Sequence, residues 1–484
     1  MSNHQHCESR ERTMSLFNSA LARRQFLSTT GVGFGAAALS SLIARDSQAH
    51  APGRSGLPHF PATIKRVIYL YMSGGPSQFE SFDYKPEMER LDGQPMPESF
   101  TKGQPIAQLQ GKELKVQGPM TKFKQYGESG QWVSDFFPWQ QKLADDICVI
   151  RSMHTDQINH DPANTFINTG TAISGRPSMG AWINYGLGSE CEDLPGFVVM
   201  TSVGGRNPQP IAARQWDAGF LPSRFSGVEF NSAGDPVHYI SNPPGVTNAQ
   251  QRRLVDAVNA LDRRRNETVT NPELETRIAN YETAFRMQAS VPELMDMSGE
   301  PQHILDMYGC KPGDGSFASN CLLARKLAER GVRFIQLYHR GWDHHDGIEK
   351  YMDICCRLTD QPTYALIHDL KQRGMLDDTL VIWGGEFGRT PMSQTSKGAP
   401  GRDHHMRCFT SWMAGGGIKG GLSYGQSDIL GYFPAENPVH VRDMHATMLH
   451  MFGIDHERFT IKHQGLDLKL TGVEKAHVLK DIMA

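Results

Sequence analysis

Five short apolar runs decide what this chain can fold into. Residues 67–72, 147–150, 197–203, 334–338 and 379–383 are rich in β-branched and aromatic side chains, do not alternate with polar ones, and are bounded by polar or glycine-rich segments. An alternating strand has one solvated face, whereas a strand that does not alternate is buried on both, as in a mostly parallel sheet covered by helices. Helical spacing precedes two of the runs. Residues 321–330 place apolar side chains on one helical face and end at Gly331, a C-cap glycine, just before 334–338; residues 364–374 do the same ahead of 379–383. Helix followed by strand, repeated, predicts an α/β fold, a three-layer sandwich about a mostly parallel central sheet. Residues 248–290 are dense in Arg, Glu and Asn with long helical periodicity, and predict a helical insertion, a hairpin set into the sheet domain, whose charges form a solvated face.

The first fifty residues read as an address. Arg23 and Arg24 precede Gln25, Phe26 and Leu27, then a Gly- and Ala-rich apolar stretch over 31–43, then small residues at Ser47-Gln48-Ala49 and Ala49-His50-Ala51. This order predicts a twin-arginine signal peptide over 1–51, recognition by the twin-arginine export machinery, and a periplasmic or cell-surface location. The stretch is too short and too weakly apolar to span a bilayer, and no later window resembles a membrane helix. About 430 residues then remain, enough for one large α/β domain over 60–484. A formal net charge of -3 supplies no basic field for nucleic acid. Cys7 lies ahead of the arginines, which leaves seven cysteines beyond the leader and at least one free thiol, and no CxxC pair supports a zinc ribbon or a redox dithiol.

In an open α/β sheet the ligand site gathers at the carboxyl ends of the strands. Four of the ends here are crowded with polar residues. The first run leads into Ser73-Gly74-Gly75-Pro76-Ser77, with Gln78, Glu80 and Asp83 beyond; the second into Arg151, His154, Asp156, Asn159, His160 and Asp161. The run at 334–338 leads into His339, Arg340, Asp343, His344, His345 and Asp346, and that at 379–383 into Glu386, Arg389 and, in a following loop, Arg402, Asp403, His404 and His405. Carboxylates and imidazoles converging on one rim are what a metal-dependent hydrolase needs, since together they hold a divalent ion and leave it a position for substrate.

Met72-Ser73-Gly74-Gly75-Pro76-Ser77, Gly341-Trp342-Asp343, Gly384-Gly385-Glu386-Phe387-Gly388-Arg389-Thr390-Pro391 and Gly401-Arg402-Asp403-His404 make the chain resemble domain-of-unknown-function family 1501, sulfatase-like exported proteins of the alkaline phosphatase superfamily. The resemblance runs from Lys65 to the C-terminus and includes Asp443-Met444-His445-Ala446-Thr447 through Gly453-Ile454-Asp455. It implies metal ligands at Asp343, His345 and His404, with His344 and His405 as alternatives, and Glu386 as a further ligand or general base. It implies a zinc, manganese or calcium ion, alone or as an asymmetric pair. Arg389 and Arg402 would clamp an anionic ester or form salt bridges to Glu386 or Asp403.

Two departures from the superfamily pattern stand out. Phosphatases and sulfatases place their nucleophile ten residues before the Gly of a Thr-Gly pair, and counting back from Gly170 lands on His160, a nucleophile or a metal ligand, with Thr165 as a weaker candidate nucleophile. Sulfatases carry Asp directly after the first strand, where this chain has Ser73-Gly74-Gly75 and supplies Glu80 and Asp83 only later. The resulting expectation is hydrolysis of a sulfate or phosphate ester on a small molecule or polymer. A catalytically degenerate exported binding protein and a phosphomutase or phosphotransferase are the alternatives.

Overall fold

The computed structural model describes residues 53–484 except 207, 210, 238, 239, 270, 271, 396 and 397. The leader expected over 1–51 lies outside these residues. All five apolar runs are strands. In chain order, the elements that position the site are β1 (Arg66–Ser73), β2 (Ile147–His154), α1 (His160–Thr169), α2 (Met179–Leu187), β3 (Phe197–Val203), β4 (Val228–Phe230), α3 (Asn248–Val269), α4 (Pro272–Met295), α5 (Phe317–Glu329), β5 (Phe334–Arg340) and α6 (Ile348–Gln372). They continue with β6 (Thr379–Gly384), β7 (Gly388–Thr395), β8 (Pro400–His405), β9 (Phe409–Ala414), β10 (Ser423–Tyr424), β11 (Val439–His440) and α7 (Val441–Met451).

The central sheet runs β10-β2-β9-β6-β1-β5-β3-β4, with β11 also pairing with β2. β1 lies parallel to β5, Val67 opposite Phe334, and parallel to β6, Arg66 opposite Thr379. β9 runs antiparallel to both β6 and β2, so β2 points the same way as β1, β5 and β6 and all four crowded ends share one rim. This is the mostly parallel α/β sandwich that the runs predict.

Side-chain alternation along each buried strand splits the core into two layers. Ile68, Leu70, Met72, Ile335 and Leu337 face a layer built from α5 and α6, including Leu322, Leu323, Met352 and Leu366. Val67, Tyr69, Tyr71, Phe334 and Tyr338 face α1, α2 and α7 through Phe166, Trp182, Met444 and Met448. Every one of these strand residues is fully buried, and each aliphatic side chain among them contributes about 1.5–3 kcal/mol of transfer free energy.

Three elements differ from their predicted extent. α6 starts at Ile348, sixteen residues before the expected helix, because Pro362 sits buried inside it and the turns on both sides pack on α5 and the sheet. The helical hairpin expected over 248–290 is present as α3 and α4 and runs on to Met295; Arg252 ties the two helices to each other through Glu282 at 2.7 and 2.9 Å, and α4 sinks Met287, Val291 and Leu294 into the core. Arg402, Asp403, His404 and His405 lie on a strand and not in a loop: β7 and β8 form an antiparallel hairpin at the rim, with a register shift between Arg402 and His404. The seven cysteines of the described residues are all unpaired, and no described helix is long and apolar enough to cross a membrane.

Candidate metal centre

Glycines follow β1 because the turn after β5 brings Asp343 against them. Gly74 has φ +123°, and a Cβ on it would lie 2.5 Å from the Asp343 backbone nitrogen; Gly341, at φ +118°, would drive a Cβ to 1.7 Å from the Gly204 carbonyl oxygen. The glycines after β1, which depart from the superfamily's acidic ligands, therefore leave room for the backbone of Trp342 and Asp343 to pass. Trp342 is fully buried and donates its indole N–H to His339 at 2.9 Å, which anchors the turn.

Asp343 Oδ1 is the hub. His345 Nε2 lies 2.9 Å from it, His160 Nε2 3.2 Å and His404 Nε2 3.4 Å. The Nε2 atoms of His345 and His404 are themselves 2.9 Å apart, and ligand atoms of all four residues fall within 4.8 Å of one another. Two nitrogens on one tetrahedral ion at about 2.0 Å each would be roughly 3.3 Å apart, close to these separations. Three different elements supply the set: α1 opens with His160, the turn after β5 carries Asp343 and His345, and β8 carries His404. The register shift on β8 helps split the consecutive imidazoles, so that His404 joins the cluster while His405 turns to the Tyr432 carbonyl at 2.7 Å.

Each of the three imidazoles is held from behind. His160 Nδ1 donates to Glu386 Oε1 at 2.6 Å, His404 Nδ1 to the Ile158 carbonyl at 2.9 Å, and His345 Nδ1 to Gln394 Oε1 at 2.6 Å. These acceptors assign the tautomers, with the proton on Nδ1 and the lone pair on Nε2. Gln394 is oriented in turn, since its amide N–H donates to Gln108 Oε1 at 3.0 Å.

This arrangement fits a divalent ion. The facing Nε2 lone pairs of His345 and His404 repel unless positive charge stands between them, and His160 Nε2 is buried with no hydrogen-bond partner. Burial lowers the His404 pKa to about 4, which keeps it neutral and ligand-ready. For His160 burial also opposes charge, but the flanking Asp343 and Glu386 carboxylates prevail and raise it. Burial alone would raise Asp343 as well; Arg389 and the three imidazoles hold it far below the usual carboxylate range. Three imidazole nitrogens and one carboxylate oxygen suit zinc or another transition ion better than calcium, which takes about six to eight oxygens.

The remaining expected site residues stand elsewhere. Glu386 stays behind His160, where its carboxylate also accepts the Gly74 N–H at 3.0 Å, so it orients a ligand and is not placed as one. Neither arginine is free to clamp an anion. Arg389 is fully buried and donates to the Gly75, Arg402 and Gly74 carbonyls and, at 2.7 Å, to Asp343 Oδ1. Arg402, also fully buried, pairs with Glu80 at 2.8 Å and donates to the Gln117 and Gly118 carbonyls. Glu80 is thereby committed, and Asp83 pairs with Lys85 at 3.2 Å and with the Ser427 hydroxyl. His344 points to the Gly341 carbonyl at 3.0 Å, with burial lowering its pKa to about 3. Thr165 gives its hydroxyl to the Asp161 carbonyl at 2.9 Å, one turn back in α1, and is not positioned as a nucleophile.

Gln394, Gln108 and Gln209 are the functional neighbours that sequence reasoning missed. Gln209 donates to Asp343 Oδ2 at 2.5 Å, and Gln108 Nε2 lies 3.3 Å from His345 Nε2. The backbone N–H groups of Gln108 and Leu109 are fixed at 2.6 and 2.9 Å by Asp403 Oδ2. Gln108 and Gln209 lie in loops, which carry no periodic signal, and Gln394 lies on β7 beyond the motif; of the groups that hold them, only Asp403, which fixes the Gln108 backbone, lies in a motif.

The fold and the cluster together define a mostly parallel α/β protein with three imidazoles and a carboxylate, a set that could hold a metal ion, gathered at the carboxyl ends of its strands. Residues 64–483 match the model of the family described as protein of unknown function, DUF1501, and the chain belongs to that family. No curated protein matches it in sequence. Similar solved structures include an alkaline phosphatase superfamily protein from Vibrio parahaemolyticus, 11% identical, covering 86% of this chain and 75% of that one, TM-score 0.32. A sulfatase from Pseudoalteromonas sp. is 12% identical over 87% of this chain and 71% of its own, TM-score 0.32. The lipoteichoic acid synthase LtaP of Listeria monocytogenes is 10% identical over 90% and 80%, TM-score 0.31.

Proposed function

We propose that the chain is a metal-dependent hydrolase of an anionic ester, a sulfate or phosphate ester, exported by the twin-arginine route to the periplasm or cell surface. The observation that carries the reading is the convergence of three imidazole Nε2 atoms on Asp343 Oδ1, each ring fixed at Nδ1 by an acceptor. An ion held there supplies Lewis acidity, polarising an ester oxygen and making water a better nucleophile. His160, Asp343, His345 and His404 hold it; Glu386, Gln394 and the Ile158 carbonyl keep the imidazoles oriented and their protons on the far nitrogens. Water and not a side chain is the attacking group in this reading, because His160 gives Nδ1 to Glu386 and would give Nε2 to the ion, and Thr165 donates its hydroxyl within α1. The same engagement argues against a phosphomutase or phosphotransferase, which needs a residue to carry the transferred group. With Arg389 and Arg402 consumed by buried carbonyls and carboxylates, the substrate's charge would be met by an ion held in the cluster.

The test is elemental analysis of the purified protein beside Asp343→Ala and His404→Ala, followed by turnover on aryl phosphate and aryl sulfate. One equivalent of metal lost in both variants, with turnover lost alongside, supports the hydrolase. One observation favours the second reading, an exported binding protein: four protein ligands already fill a tetrahedron, as in closed structural sites. Full metal occupancy with no turnover on any ester would select it. Metal-free wild-type protein would overturn both. The export part is tested by fusing residues 1–51 to a reporter that must fold before crossing.

A further inference from the structure

The two ends of α1 face different things. His160 begins the helix in the metal cluster, whereas its last turn and the Gly170 cap border a cavity of about 250 Å3 that includes no cluster residue. A ten-residue helix is about 15 Å long, so the cavity and the cluster are separate places.

Aromatic rings wall this cavity. Phe166, Trp182 and Phe220 line it, with Trp182 and Phe220 edge to face at 6.0 Å and Phe220 stacked on His463 at 4.5 Å. Residues 467–470 close another side, the Leu470 carbonyl lying against Gly170 so tightly that a Cβ there would sit 1.8 Å away. Ile173 and Val473, 66% and 92% exposed, stand at its lining as uncovered aliphatic side chains, which the core does not explain.

The charge at the cavity is one-sided: Arg176, Arg442 and Lys469 line it against a single acid, Asp467. Two of the cations are already balanced. Arg442 pairs with Asp156 at 2.9 Å and Lys469 pairs with Glu457. Arg176 lies over the Phe220 ring at 5.7 Å and makes no ion pair among the described residues. The Arg442 Nε, buried without a hydrogen-bond partner, lies 3.8 Å from the ideal Cβ position of Gly472 in the same lining.

We propose that this cavity is a second binding site, for a small organic anion carried on a flat apolar ring. The ring packs among Phe166, Trp182 and Phe220, and the anionic group pairs with Arg176. Aromatic walls favour a flat body over an extended chain, the volume admits a compact molecule and not a polymer, and a guanidinium supported on a ring face reads a carboxylate, sulfonate or sulfate by paired hydrogen bonds. The site does not depend on the metal cluster or on any hydrolytic activity.

The probe is 8-anilinonaphthalene-1-sulfonate, an aryl sulfonate with no ester to hydrolyse, titrated by fluorescence into the full folded chain. The neutral N-phenyl-1-naphthylamine is run in parallel. Saturable binding of one sulfonate per chain is expected, with about tenfold weaker affinity in Arg176→Met, unchanged affinity in Asp343→Ala, and neutral-probe binding indifferent to Arg176→Met. Phe220→Ala, at a partly exposed wall, should weaken both probes. Non-saturable binding, equal affinity of wild type and Arg176→Met for the sulfonate, or loss of binding in Asp343→Ala would each overturn the proposal.

Discussion

Glu386 Oε1 lies 2.6 Å from His160 Nδ1, while the other nitrogen of the same ring faces Asp343 Oδ1 at 3.2 Å. One imidazole thus stands between two buried carboxylates, one that orients it and one that shares its target. At the start of α1, the position that the superfamily pattern reserves for a nucleophile, this chain places an imidazole with its own supporting acid. Under the proposed function that imidazole would hold the ion and would not attack the ester.

Glu386→Gln should therefore weaken metal binding without unfolding the protein. The amide can still accept from His160 and Gly74 but no longer lends negative charge to the imidazole. Removing a supporting partner of this kind typically costs about 10–100-fold in metal affinity. Competition against a chromophoric chelator measures it, with circular dichroism as the control for fold. Wild-type affinity in the variant would mean that His160 is not a ligand.

Gly401→Ala tests how tightly β8 presses on the cluster. A Cβ at Gly401 would lie 2.2 Å from the His345 carbonyl carbon, and backbone cannot move aside as a flexible side chain can. The shift displaces His345 from His404, so metal content should fall to below half of wild type. Gly299→Ala, at a position with open space around it, should leave metal content and melting temperature unchanged.

The strands were legible because burial on both faces leaves a continuous apolar run, and each run beginning at residue 67, 147, 197, 334 or 379 falls within a strand of the sheet. Asp343, His345 and His404 were legible for a related reason: chemistry in an open sheet sits after the strands, so position narrows the choice. What failed was direction. Nothing local distinguishes a carboxylate that faces an ion from one that backs a ligand, as Glu386 does, nor a guanidinium that reaches solvent from one spent on carbonyls, as in Arg389 and Arg402. His404 and His405 are equivalent as letters, and an irregularity on β8 helps decide between them. The helix read over 364–374 begins at Ile348, because packing on both sides of the buried Pro362 carries α6 through it.

Arg402 and Glu80, both without solvent exposure, form an ion pair that holds the β7–β8 hairpin to the segment after β1. Removing one partner of a buried pair leaves an uncompensated charge and costs about 3–5 kcal/mol. Glu80→Ala should lower stability by that amount in denaturant titrations. Arg402→Met, which keeps much of the volume and removes the charge, should also destabilise, because Glu80 is left unpaired. An anion-clamping Arg402 would instead give a variant with raised KM and unchanged stability.

Asp360 supplies a pH dependence remote from any ligand. Its carboxylate sits on α6 and accepts the backbone N–H groups of Trp139 and Gln140 at 2.7 and 2.9 Å. Burial dominates these hydrogen bonds and raises its pKa to about 7. The folded chain then keeps the proton at pH values where the unfolded chain, with an ordinary pKa of about 4, has released it. The folded state binds more protons in that window, so stability falls as pH rises from about 4 to about 7 and levels off above. The full separation corresponds to an upper bound of about 4 kcal/mol. Asp360→Asn cannot ionise, so subtracting its stability profile from that of wild type isolates this one group from every other titration. The difference, wild type minus variant, should decline across pH 4–7 and be flat at higher pH. A difference that rises with pH would mean that the two N–H groups outweigh burial and hold the carboxylate charged.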